Sequence, residues 1–281
     1  FSTPLLLATA FYFVYFDYWD TAQVELWESL AVALSITVAF RRRRLTVAAL
    51  GSGSLLGLAI LFKFPAALFG IVPATFVVVR TLREDAGTAP TAGWRAVGRL
   101  FAFGGSAAVP LLLVVSYFAV RGGLPDFIDV LIGYNRFYLL NKHADPKTWP
   151  ALVLAYIGHA AVPLALAVLS LVAAAVRAAR TNDRDLRALA CAAGALVALS
   201  FVTVVLQAKF YSYHWGVLVF PIVLALLLGL RALDHLGEPL KSLLPISVAL
   251  LFVVHAPSWN SARDVDFRSY TASAIDYVAS R

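Results

Sequence analysis

Methionine is absent from the 281 residues, cysteine occurs once, and only 14% of the chain is charged. Each shortage excludes something. The single cysteine, Cys191, sits in the apolar run RALACAAGALVALSFV, so no intrachain disulfide can form and the thiol carries no redox message. Position 1 is not methionine, and the chain starts inside the apolar run FSTPLLLATAFYFVYF, with neither a charged n-region nor a small-residue cleavage site. That start does not read as a signal peptide. It leads us to expect an internal fragment, with an amino-terminal part missing. A soluble domain carries about a quarter charged residues. The scarcity here, with 61% hydrophobic residues and a mean hydropathy of +0.81, excludes that class and leaves a polytopic membrane protein. The familiar soluble-enzyme signatures are missing too: G-x-S-x-G, H-E-x-x-H, paired-cysteine zinc spacing and a phosphate-cradling loop. No metal site and no cofactor motif is legible, and the need for a divalent cation stays open.

What is present is a series of nine apolar segments, at 1–16, 22–40, 45–62, 64–79, 99–120, 149–176, 188–206, 214–230 and 243–257. They predict an all-α integral membrane protein of about nine transmembrane or part-spanning helices. The transmembrane domain would cover 1–257, and 258–281 would begin an external carboxy-terminal segment. Alternating the segments across a bilayer sorts the loops into two sets. One set holds Arg41 to Arg44, Arg80, Arg83, Arg95, Arg99, Arg177, Arg180, Arg184, Arg187, Arg231 and Lys241, fourteen of the 23 basic residues, against six acidic ones. The positive-inside rule places that set in the cytoplasm. The net charge of +7 is therefore a topology signal and not a nucleic-acid footprint. Every unusual polar stretch then falls outside: DYWDTAQVE, the tip KFP, the loop 121–149, QAKFYSYHW and the tail from Ser258.

Several local features follow. Segments 45–62 and 64–79 reach only about 27 and 24 Å at 1.5 Å per residue, short of a hydrocarbon core of about 30 Å. The turn between them, Lys63-Phe64-Pro65, should sit at or just below the outer headgroups. Gly53 and Gly57, four apart in an apolar helix, predict a close helix-packing face. Segment 149–176, with Pro163 inside it, is too long for one perpendicular span and should tilt, kink or lie partly along the interface. In the loop 121–149, DFIDVLIGYNRFYLL alternates at helical spacing and predicts a helix in the membrane plane.

The candidate residues each carry two readings. Lys63 is a snorkelling lysine at a helix end or an ammonium placed where a lipid phosphate lies. Asp17 and Asp20 flank an aromatic pair, and Glu25 and Glu28 are three apart, on one helix face. Acids suit a helix amino terminus, which is the plain reading for Glu28, whereas Glu25 leans toward substrate contact. Arg136, Lys142 and His143, with Tyr134 and Tyr138, could grip a phosphate or sugar or be solvated charges on an interfacial helix. Lys209, Tyr211, Tyr213 and His214 precede a hydrocarbon run. An aromatic belt accounts for the tyrosines and the following Trp215 but not for the lysine and the histidine. His159, ten residues into its helix, is a functional candidate by its depth or a hydrogen-bonded neutral imidazole.

Four stretches in order carry a resemblance: AQVELWESLAVALSITVAFRRRR, GLAILFKFPAALFGIVPA, KFYSYHWGVLVFPIVLALLLGL and RSYTASAIDYVASR. Together they resemble the polyprenyl-phosphate-sugar-dependent membrane glycosyltransferases of the GT-C superfamily, the group of protein O-mannosyltransferases and aminoarabinose transferases. The resemblance spans nearly the whole chain through loose motifs. It implies an inverting transfer of a hexose or pentose from a polyprenyl-phosphate donor to a lipid, glycan or protein acceptor. The site would lie on the extracytoplasmic face, and the alanine- and arginine-rich composition suggests the inner membrane of a bacterium. Lys63, Lys209 and Arg136 would hold the donor phosphate. Asp17, Asp20, Glu25, Tyr211, Tyr213, His214 and His143 would contact substrate. The resemblance places the catalytic acid in a first external loop expected to precede this chain, so the catalytic residue is unassigned and the fragment alone is expected to be inactive. A polymerase or ligase of lipid-linked glycans, or a lipid or solute transporter, are the competing readings.

Overall fold

The computed structural model describes residues 24–41, 44–84, 89–137, 145–208, 210, 212–233 and 245–249. These residues are helical, with no strand among them. In chain order the helices are α1 (Val24–Arg41), α2 (Leu45–Phe62), α3 (Ile71–Glu84), α4 (Ala89–Val120), α5 (Leu124–Ile128), α6 (Trp149–His159), α7 (Ala161–Thr181), α8 (Arg184–Gln207) and α9 (Val219–Ala232). Tight 3-10 turns at Phe64–Gly70 and Ser212–Leu218 lead into α3 and α9, and wider π-type turns at Asp129–Tyr134 extend α5. Among the described residues six helical stretches are long and apolar enough to cross a membrane, which makes this a membrane protein. The expected number of nine is not reached among them. α1, with Glu25, Glu28 and Arg41 in its 18 residues, falls outside the six, and only 245–249 of the last apolar segment are described.

Three expected boundaries move. The segment after Lys63 does not stop at residue 79; with its 3-10 entry it runs Phe64–Glu84, 21 residues. Only α2 is short, so Arg80 and Arg83 lie on a helix and not in a loop. Likewise α4 begins at Ala89 and reaches 32 residues, carrying Arg95 and Arg99 on its first turns. The long segment 149–176 is two helices broken at Ala160, whose φ of −97° and ψ of 23° leave the helical well. Pro163 explains the break. It has no N–H to give the carbonyl of His159, and its ring would collide with that oxygen. Leu164 N–H then binds the Ala160 carbonyl at 3.0 Å and starts α7 afresh.

Small residues hold the bundle together. A Cβ on Gly53 would strike the Phe103 carbonyl and Ser106 Oγ, and one on Gly57 would strike the Ala107 carbonyl and come within 3.0 Å of Pro110 Cδ. The expected glycine face is therefore the contact between α2 and α4, made close to Pro110 inside α4. On the other side of α2, buried Ser35 of α1 donates to the Ser52 carbonyl at 2.8 Å. A second layer packs α9 on α7 and α8, with Leu196, Leu218 and Ile222 fully enclosed. Asn182, in the left-handed region at φ 51°, ends α7, and Asp183 caps α8 by accepting from Leu186 N–H at 2.9 Å.

Candidate functional site

Three pieces of chain meet at one end of the bundle: the first turns of α1, the Lys63 turn, and the 3-10 turn Ser212–Leu218. The last packs on α1, α8 and α9, and the turn Phe64–Gly70 packs on α1, α2 and α8. Sequence sets the Lys63 turn locally. Pro65 has no N–H to give the Leu61 carbonyl and its ring would collide with that oxygen, so α2 ends before it. Lys63 swings to φ −159° and ψ 123° while its N–H closes on the Ala59 carbonyl at 3.1 Å. Pro65, at the start of the 3-10 turn, spends its missing N–H where no partner is required.

The swing aims the Lys63 side chain at α1, where its Nζ forms a salt bridge with Glu25 Oε1. Glu25 is 2% exposed and Glu28, one turn along, 1%. The other Glu25 oxygen and both Glu28 oxygens have no hydrogen-bond partner among the described residues. Glu28 lies within electrostatic reach of both Lys63 and Glu25. Taking an ion out of water costs several kcal/mol even after relaxation. Two carboxylates and one ammonium here leave one acidic group without a counter-charge. Lys63 keeps a fifth of its side chain accessible, so the pair is reachable from one side.

The Ser212–Leu218 turn brings His214 into the interior, 4% exposed. Trp215 beside it is not an interfacial anchor. It is 2% exposed, stacks on Tyr156 at 3.8 Å with an interplanar angle of 5°, and meets Phe201 edge-on at 5.4 Å. Ser200 Oγ reaches the Val217 carbonyl at 3.2 Å and pins the turn to α8. His159 ends α6, its ring 6.4 Å from that of Tyr156, so it borders the same aromatic group.

Of the residues named from sequence, the structure brings Lys63 and Glu25 together and buries His214 on the turn packed against α1. Arg136, exposed in the helical stretch after Gly133, contributes nothing to that junction. Asp17, Asp20, His143, Lys209, Tyr211 and the side chain of Tyr213 lie outside the described residues. The reading of Glu28 as a plain helix-terminus acid missed its burial. The available signal was its spacing: three residues from Glu25, it shares that residue's face of an otherwise apolar helix. Among the described residues no group of three histidine, cysteine, aspartate or glutamate side chains could hold a metal ion. Comparison with protein-family models, curated proteins and solved structures finds no match to this chain.

Proposed function

We propose that this chain is part of a membrane glycosyltransferase of the GT-C kind, which moves a sugar from a polyprenyl-phosphate donor to an acceptor at the extracytoplasmic face. The setting would be the inner membrane of a bacterium, with the site on the periplasmic side. The observation that supports this reading most is the Glu25–Lys63 pair, buried at the end of the bundle opposite the arginine-rich helix ends, with Glu28 behind it and His214 on the neighbouring turn.

The reaction needs an attack by the acceptor oxygen on the anomeric carbon. The bond from that carbon to the phosphate oxygen breaks, and the lipid phosphate leaves with the electron pair. Negative charge grows on the phosphate, and a preorganised cation in a site of low dielectric stabilises it far better than water would. Lys63 is that cation. Glu25 holds its ammonium in place at rest, and a phosphate oxygen entering from the accessible side would share or replace the carboxylate. The displaced Glu25 could then accept a hydrogen bond from a sugar or acceptor hydroxyl. The proton of the acceptor goes to a carboxylate acting as general base, which we do not assign to a residue.

The test is native mass spectrometry of the full-length protein and its Lys63→Ala variant. A co-purified polyprenyl monophosphate or its sugar adduct, lost from the variant, supports the proposal. Ordinary phospholipids alone in both, even after polyprenyl phosphate is added, overturn it. A transporter is the second reading, because an intramembrane carboxylate without a partner is also what proton-coupled carriers use. Movement of a labelled lipid or solute across liposomes without a covalent product would favour it.

A further inference from the structure

At the opposite end of the bundle α3 and α8 stand apart, and a cavity of about 610 Å³ opens between them and the end of α1. Its walls follow from helical spacing. On α8 the lining residues Ala188, Ala192 and Ala195 recur at positions i, i+4 and i+7, so a stripe of small side chains faces the bulkier Phe76 and Val79 of α3. The cavity is lined from Ile71 to Glu84, about 20 Å along the helix axis, long enough for the acyl chain of one leaflet, which is half of a hydrocarbon core about 30 Å thick. Only the end with Arg80, Arg83, Glu84 and Asp185 is charged; the rest is lined by apolar side chains and one threonine. Thr75 turns its hydroxyl back to the Ile71 carbonyl at 2.7 Å, so its polarity is already satisfied.

The mouth holds both signs. Arg80 is committed to the carbonyls of Ala39 and Phe40 at 2.6 and 3.1 Å. Arg83, Glu84 and Asp185 make no ion pair or side-chain hydrogen bond among the described residues. A long apolar slot ending in one available guanidinium and two available carboxylates matches a molecule with an acyl chain, a phosphate and a hydrogen-bonding ammonium.

We infer that this slot binds a phospholipid of the cytoplasmic leaflet whose headgroup is phosphoethanolamine. One acyl chain lies between α3 and α8, the phosphate meets Arg83, and the primary ammonium donates to Glu84 and Asp185. The headgroup selects by donors and charge. A trimethylated ammonium has no N–H for the carboxylates, and a glycerol headgroup brings neutral hydroxyls where ethanolamine brings a positive charge.

Cys191 makes the slot measurable, since it is exposed and lines the same cavity. The rate at which N-ethylmaleimide alkylates Cys191, followed by peptide mass mapping, is measured on the full-length protein in detergent with added phosphatidylethanolamine, phosphatidylcholine or phosphatidylglycerol of identical chains. Phosphatidylethanolamine is expected to protect Cys191 at about fivefold lower lipid fraction than the other two, the scale of solvent-accessible ion pairs. Arg83→Ala should raise the phosphatidylethanolamine requirement toward that of phosphatidylcholine. Ala195→Phe, filling the slot, should slow alkylation whether or not lipid is present, and Lys63→Ala should leave the lipid protection unchanged. Equal protection by all three lipids overturns the headgroup assignment. Slow alkylation of the parent protein before any lipid is added, unaltered afterwards, overturns the proposal in favour of another part of the chain, such as 1–16, covering the slot.

Discussion

The two ends of this bundle both carry charge, and they use it differently. At the arginine-rich end the described contacts gather near helix ends. Arg80 reaches the last carbonyls of α1, which no intrahelical N–H can satisfy, and Arg99 reaches Thr81 Oγ1 at 3.0 Å. Arg231 meets Asp183 at 3.4 Å where both remain partly in water. At the other end, Lys63, Glu25 and Glu28 are drawn into the bundle, and three carboxylate oxygens gain no hydrogen bond among the described residues. A charge that caps a helix repays its own desolvation; a buried acid without a partner does not. The difference marks the Lys63 end as the place where burial of charge carries a cost that helix capping does not repay.

The largest effect should come from separating the outer pair. Glu25→Ala removes the carboxylate that holds the largely buried Lys63 ammonium, and loss of one partner from a buried pair costs about 3–5 kcal/mol. Thermal unfolding in detergent should show a drop of that scale; a loss below about 1 kcal/mol, the range of exposed pairs, would erase the contrast between the ends. Arg80→Ala comes next. It strands two carbonyls at the end of α1, each a hydrogen bond to a charged donor worth about 1.5–3 kcal/mol before water replaces it. A net loss of about 2 kcal/mol is expected. Glu28→Met should go the other way. Replacing a buried unpaired acid by an apolar side chain of similar size should raise stability by about 1 kcal/mol while lowering sugar transfer. Destabilisation by this change, with transfer intact, would make Glu28 a packing residue and remove half of the argument for the outer site.

How much of this was legible depended on distance along the chain. Helical class, the arginine side and the Gly53–Gly57 contact are properties of local composition and spacing, and the sequence carries them openly. Lys63 was legible as unusual because a lysine before Phe64-Pro65 interrupts an apolar hairpin. Its partner was not, because Glu25 lies 38 residues earlier and only the packing of α1 on α2 brings the two together. The same limit hid the slot between α3 and α8: Ala188, Ala192 and Ala195 read as ordinary small residues of an apolar span until α3 stands opposite. Trp215 misled in the reverse direction. A tryptophan at a helix mouth reads as an interfacial anchor, but Tyr156 stacks over it and carries it into the core. The break at Ala160 was readable from Pro163, although not whether the chain would bend or stop there.

The smallest expected effect tests the arginine-rich end most closely. Asp183 serves α8 twice: Oδ1 accepts the Leu186 N–H at 2.9 Å, and Oδ2 faces Arg231. The first interaction is a helix cap, worth about 1 kcal/mol. The second joins side chains that are 50% and 31% exposed, where salt and water leave at most a few tenths of a kcal/mol. Arg231→Ala should therefore be nearly silent in thermal unfolding, and Asp183→Ala should cost about 1 kcal/mol because it removes the cap. Asp183→Asn, which keeps an oxygen for Leu186 while discarding the charge, should fall with Arg231→Ala. If Asp183→Asn instead matches Asp183→Ala, the ion pair outweighs the cap, and the arginine-rich end holds its helices by charge pairing rather than by closing open helix ends.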